Sequence, residues 1–222
     1  MIYFLPLLSV LLGYIIALFL KPSSSTAFQL LLSFSGAYLL SVTVFELLPE
    51  VYSSGENNVG LFIMFGLLLQ ILLEFISKGV EHGHLHHSES SGKFPFLLLI
   101  SLCIHAFLEG FPLSNSDHLL YGVAIHHIPV AAILATFLLR SKITKVQALL
   151  FLVIFAIMTP LGSWAKINFE ILGTFETFIN AIVIGIFLHV STTILFEASK
   201  NHKFNASKLV VIIFGILLAY LL

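Results

Sequence analysis

Charge is scarce in this chain: Asp, Glu, Lys and Arg make up only 9% of 222 residues, against about 25% in an ordinary soluble domain. That is too little to cover a globule with water-soluble surface. It also excludes a separate soluble domain, an extended disordered region and a basic nucleic-acid-binding face. Cysteine is nearly absent as well. Cys103 stands alone, so no intrachain disulfide can form. No HExxH motif occurs. The segment before Lys21 lacks a basic n-region and a small-residue cleavage site, and reads as a first membrane helix rather than a cleaved signal peptide.

What fills the chain instead is hydrocarbon: 59% of residues are hydrophobic and the mean hydropathy is +1.07. A membrane-spanning helix needs about 20 apolar residues, so eight would use about 160 of the 222 and leave only short connections. The apolar runs predict helices at 2–20, 27–49, 59–77, 95–113, 119–139, 147–165, 171–196 and 207–222. The expectation is an all-α integral membrane protein of eight transmembrane helices forming a single domain over 1–222. Nine of the ten Lys and Arg residues fall in the odd-numbered connections, and only Lys166 falls in an even one. By the positive-inside rule those odd connections are cytoplasmic and both termini are extracytoplasmic. One connection is long. Residues 78–94 are polar, rich in Gly and Ser, and carry His82, His84, His86 and His87.

Ten histidines match the count of Lys and Arg, and their placement is informative. Ionisable groups at bilayer depth are expensive unless paired. His105 and Glu109 are four residues apart, on one face of the fourth helix. His126 and His127 precede Pro129 in the fifth. The turn between the two helices centres near Asn115–Ser116, so His105 and His126, each about ten residues from it, reach the same depth in an antiparallel hairpin. A lone membrane histidine commonly serves as an interhelical hydrogen-bond partner. Three at matched depth beside a carboxylate form a plausible site for a borderline metal such as zinc. Pro112 and Pro129 should leave the carbonyls of Leu108 and Ile125 without helical donors near that point.

These residues carry a resemblance. HAFLEG at 105–110 and HHIPVA at 126–131 are similar to the paired helix 4 and helix 5 signatures of the ZIP (Zrt/Irt-like) metal-ion transporters. FELLPE at 45–50, TPLGSW at 159–164 and GIFLHVSTTILFE at 185–197 resemble that family's second, sixth and seventh helices. The resemblance covers nearly the whole chain in order and spacing. It implies import of a divalent metal, most simply zinc, by alternating access, with His105, Glu109 and His126 as ligands. It also implies a homodimer in which a helix 4–5 unit moves against a more static group. Three positions depart from the family pattern: Ala106, Val130 and Thr159 stand where a second metal site's ligands are usual. His127 occupies a position associated with that second site and is a candidate ligand for either. One metal at the midplane is therefore expected, not two.

The loop histidines His82, His84, His86 and His87 are expected to bind metal weakly, as an exchangeable relay on the cytoplasmic side or merely as a polar connector. Glu46, Glu50 and Glu176 lie where an electronegative entrance would be, and His189 and Glu197 where an exit would be. Glu74, Asp117 and His118 read as interface polars. No organic cofactor and no nucleic acid are expected; the partners are the metal ion and the lipid bilayer. The compact loops point to a bacterial inner membrane. Two other function classes stay open on these residues: an intramembrane metalloenzyme using a bound metal to activate water, and a metal sensor that does not transport.

Overall fold

The computed structural model describes residues 2–19, 26–77, 94–141, 143–197 and 206–221, which are helical throughout apart from short connections, with no strand among them. We number the main helices α1 (Phe4–Phe19), α2 (Thr26–Ser53), α3 (Val59–Ser77), α4 (Phe96–Glu109), α5 (Asp117–Arg140), α6 (Lys145–Asn168), α7 (Glu176–Glu197) and α8 (Ala206–Leu221). One wide π-type turn interrupts α2 at Thr43–Leu47, and one extra helical turn, Glu170–Thr174, lies between α6 and α7. The helices α2 to α7 are long and apolar enough to cross a membrane, with α4 counted through Ser114. By contrast, α1 and α8 have 16 residues each. At 1.5 Å per residue that is about 24 Å, short of the roughly 30 Å hydrocarbon thickness. Six of the eight expected spans thus meet the length requirement.

Local chemistry sets the helix ends. Ser116 caps α5 by accepting from the Leu119 N–H at 3.1 Å, with Asp117 in the first turn and Arg140 in the last, each favourable to the helix dipole. Thr144 and Gln147 form a reciprocal capping box at the start of α6. The expected helix at 95–113 is instead broken. Regular α4 stops at Glu109, and a 3-10 turn at Pro112–Ser114 follows. The carbonyl of Leu108 is not left open by Pro112, because the N–H of Phe111 donates to it at 3.1 Å. Ser163 of α6 donates its hydroxyl to the Gly110 carbonyl. The carbonyls of Leu108 and Gly110 at the break are thus served by neighbours, as non-helical backbone at membrane depth requires. Pro129, by contrast, is accommodated within a continuous α5.

Two larger apolar cores and two small clusters pack the helices. One core joins Val10 of α1 to Leu98, Leu102 and Ala106 of α4, to Val130, Ala131, Leu134, Ala135 and Leu138 of α5, and to Phe151 and Phe155 of α6. The other joins Tyr38, Val42 and Leu47 of α2 to Val59 of α3, Ile184 and Phe187 of α7 and Ala219 of α8, and takes in Leu119, Leu120 and Val123 of α5. The α2–α3, α4–α5 and α6–α7 connections share one end of the bundle, which we call the turn end. The α5–α6 connection lies at the other, the Arg140 end. Thus α5 enters the second core with its turn-end half and the first core with its Arg140-end half.

Small residues bring the helices close where hydrocarbon alone gives little driving force. A methyl group on Gly66 of α3 would collide with the Ile182 carbonyl of α7, and one on Gly185 with the Ile63 carbonyl of α3. In the other core, Gly110 and Gly162 let α4 and α6 touch backbone to backbone at the break after Glu109. Leu61, Phe65, Leu68, Leu72 and Phe75 form an exposed apolar stripe on α3, suited to lipid.

Candidate metal centre

His105 and Glu109 follow one another by one helical turn on α4, and His126 and His127 lie on α5 where that helix passes from one core to the other. All four are buried, and Glu109 is fully excluded from solvent. One ligand atom each from His105, Glu109 and His126 lies within 4.8 Å of the other two. The hairpin matching of depth expected from sequence therefore holds for these three. Ligand atoms on a tetrahedral zinc sit about 3.3 Å apart, so small rotamer adjustments would close the cluster onto an ion.

The carboxylate is held asymmetrically. Oε2 of Glu109 accepts from Nε2–H of His127 at 3.0 Å. Oε1 lies 2.9 Å from Nε2 of His105 but receives no aligned hydrogen bond among the described residues. A buried carboxylate oxygen without an aligned donor is costly, and it faces the histidine donors as a metal ligand would. His127 touches Glu109 yet stands outside the three-residue cluster; its ring packs 5.6 Å from that of Phe155.

The positions expected of a second site are filled differently. Ala106 and Val130 are buried in the first apolar core, among Leu102, Leu134 and Phe155. Thr159 of α6 is fully buried beside Gly110, and its hydroxyl finds no hydrogen-bond partner among the described residues. Hydrocarbon and one hydroxyl therefore stand at the three positions.

Sequence reasoning missed Gln70. It lies in the middle of α3, fully buried, and its Oε1 sits 2.9 Å from Nδ1 of His105. An isolated amide inside FGLLLQILLEF was the available signal, since an unpaired amide in hydrocarbon is expensive.

The remaining polar candidates are drawn into pairs. Glu46, in the π-type turn of α2, accepts from Ser116 and from Nδ1–H of His118, both at 2.6 Å. Glu176 accepts from Lys166 and Asn115, also at 2.6 Å each. These two acids of the expected entrance are therefore partly offset by donors, and Glu50 alone of the three is exposed without such a contact shown. His189 donates to Glu74 at 2.6 Å, linking α7 to α3. His82, His84, His86 and His87 lie outside the described residues, as does the side chain of Glu197.

Residues 81–222 match the family model described as ZIP zinc transporter. The chain belongs to the ZIP zinc transporter family. Membership makes it a divalent-metal transporter and, with its apolar helices, a multi-pass membrane protein. No curated protein matches the chain. The matched stretch contains α4 to α8, and so His105, Glu109, His126 and His127, whereas Gln70 lies before it. The family is one of transporters, not enzymes.

Proposed function

We propose that this ZIP protein imports a divalent transition metal, zinc first, into the cytoplasm through one midplane site made by His105, Glu109 and His126. The observation that carries this reading is the convergence of three buried donors within 4.8 Å. With it comes a carboxylate oxygen that has no aligned hydrogen bond among the described residues. Two imidazoles and a carboxylate suit zinc, and water supplies the fourth position of an open site. The apolar packing of Ala106 and Val130 supports one bound ion rather than two.

Transport follows by alternating access. The ion sheds water and binds where the helix is broken and the two cores meet. A shift between the helix groups then carries the opening from one side to the other. Eight spans with external termini, a homodimer, a bacterial inner membrane and metal release past His82, His84, His86 and His87 complete the proposal. The test is zinc flux into proteoliposomes. Wild type should carry zinc without any added substrate, and His105→Ala should fall to the protein-free background. Binding without flux in wild type would mark a sensor instead.

A further inference from the structure

Polar contacts near the site differ in where they come from. Glu109 is held by His127, from the same pair of helices that supplies the site's donors. His105 is held from α3, whose Val59 belongs to the other apolar core. Gln70 is fully buried, and its Oε1 is an acceptor at 2.9 Å from Nδ1 of His105. An imidazole that donates from Nδ1 keeps its proton there and presents the Nε2 lone pair, the atom that lies 2.9 Å from Glu109. The amide nitrogen of Gln70 has no hydrogen-bond partner among the described residues, so the oxygen is the end in use.

We propose that Gln70 is a positioning residue for metal binding: it fixes the His105 tautomer and ring plane so that Nε2 faces the ion. This rests on the reading of His105 as a ligand. Metal-bound histidines are generally oriented in this way by an acceptor on the second ring nitrogen, and its loss typically costs 10–100-fold in affinity. Here the acceptor belongs to α3 rather than to α4 or α5. A relative shift of the helix groups therefore breaks the contact and loosens the ligand, which ties metal affinity to the conformation of the transporter. Ser101 of α4 donates to the Leu73 carbonyl of α3 at 2.7 Å. That second contact across the same helix pair keeps α3 and α4 in register when Gln70 is changed.

The test is zinc binding to the purified full chain, comparing wild type with His105→Ala, Gln70→Leu and Gln70→Glu. Gln70→Leu removes the acceptor at similar volume, and should weaken zinc binding by about 10–100-fold. Gln70→Glu keeps the acceptor and gives up no bond made by the amide nitrogen. It should bind within about threefold of wild type or more tightly. Equal weakening in both variants would make Gln70 a mere structural link and overturn the proposal, as would wild-type affinity in Gln70→Leu. Equal binding by wild type and His105→Ala would overturn the site itself, which is a separate result. A readout independent of the Gln70 variants is 113Cd–15N coupling in the cadmium-loaded wild type, assigned by its loss in His105→Ala. Coupling to Nε2 with a protonated Nδ1 is expected, and cadmium on Nδ1 would refute the positioning role.

Discussion

The two apolar cores differ in what fills them. The core of α2, α3, α7 and α8 is filled with large side chains such as Tyr38 and Phe187. Its α3–α7 contact is sealed by Gly66 and Gly185. The core of α1, α4, α5 and α6 is rich in alanine (Ala106, Ala131, Ala135 and Ala148) and contains both the break after Glu109 and the helix-borne Pro129. Smaller side chains and a broken backbone let polar groups sit at depth, where close packing of large ones would have excluded them. The candidate ligands lie where α5 leaves one core for the other. Across that joint the apolar packing of Leu119, Leu120 and Val123 is joined by polar links: Gln70 to His105, Ser101 to the Leu73 carbonyl, and Glu46 to Ser116 and His118.

Substitutions can break this contrast in a graded way. The largest effect is expected from Glu109→Ala. It removes the one carboxylate ligand and leaves His127 without its acceptor, so zinc flux in proteoliposomes should fall to background. Next comes acidification. A proton competes with the metal for each imidazole, and the binding form is the neutral one. Affinity should therefore be retained above the ordinary histidine range near pH 6.5. Below it, affinity should fall by about tenfold per pH unit for each proton displaced. Zinc affinity that stays constant between pH 7.5 and 5 would contradict histidine ligation.

Glycine substitutions separate the cores directly. Gly185→Ala forces α3 and α7 apart and should cost about 1–3 kcal/mol of stability, read by thermal unfolding in detergent, with zinc affinity per folded molecule retained. Gly162→Ala presses on α4 at Phe107 and Gly110, beside Glu109, and should lower stability and zinc affinity together. If both variants lose affinity alike, the contrast between the two cores fails. The smallest effect belongs to Glu46→Gln. Its pair with His118 is about one-third exposed on both sides, and such pairs contribute about 0–1 kcal/mol. Thermal stability should barely change.

The fold was legible where hydropathy alone decides. The run at 59–77 coincides with α3, and α5 and α6 extend the expected 119–139 and 147–165 by a few residues into polar caps and last turns. It was less legible where tertiary partners override local pattern. The end of α4 at Glu109 depends on Ser163 serving the Gly110 carbonyl from α6, which no window on 95–113 contains. The π-type turn over Thr43–Leu47 precedes Pro49 and places Glu46 against α5, but the proline signals only a missing donor. Likewise, the hairpin spacing brought His105, Glu109 and His126 together, because antiparallel helices with a short turn match depth by counting. Gln70 escaped, since its partner depends on how α3 packs on α4. The role of His127 was left open by spacing, and spacing did not show its contact to Oε2 of Glu109.

The central claim is one metal ion per chain held by His105, Glu109 and His126. Zinc stoichiometry and zinc-edge X-ray absorption on the full chain test it most directly, with His82, His84, His86 and His87 replaced so that the loop contributes nothing. One zinc per chain with two imidazoles and carboxylate oxygen is the expected result, losing one imidazole in His126→Ala. Two zinc ions per chain, or a spectrum unchanged in His105→Ala and His126→Ala, would contradict it.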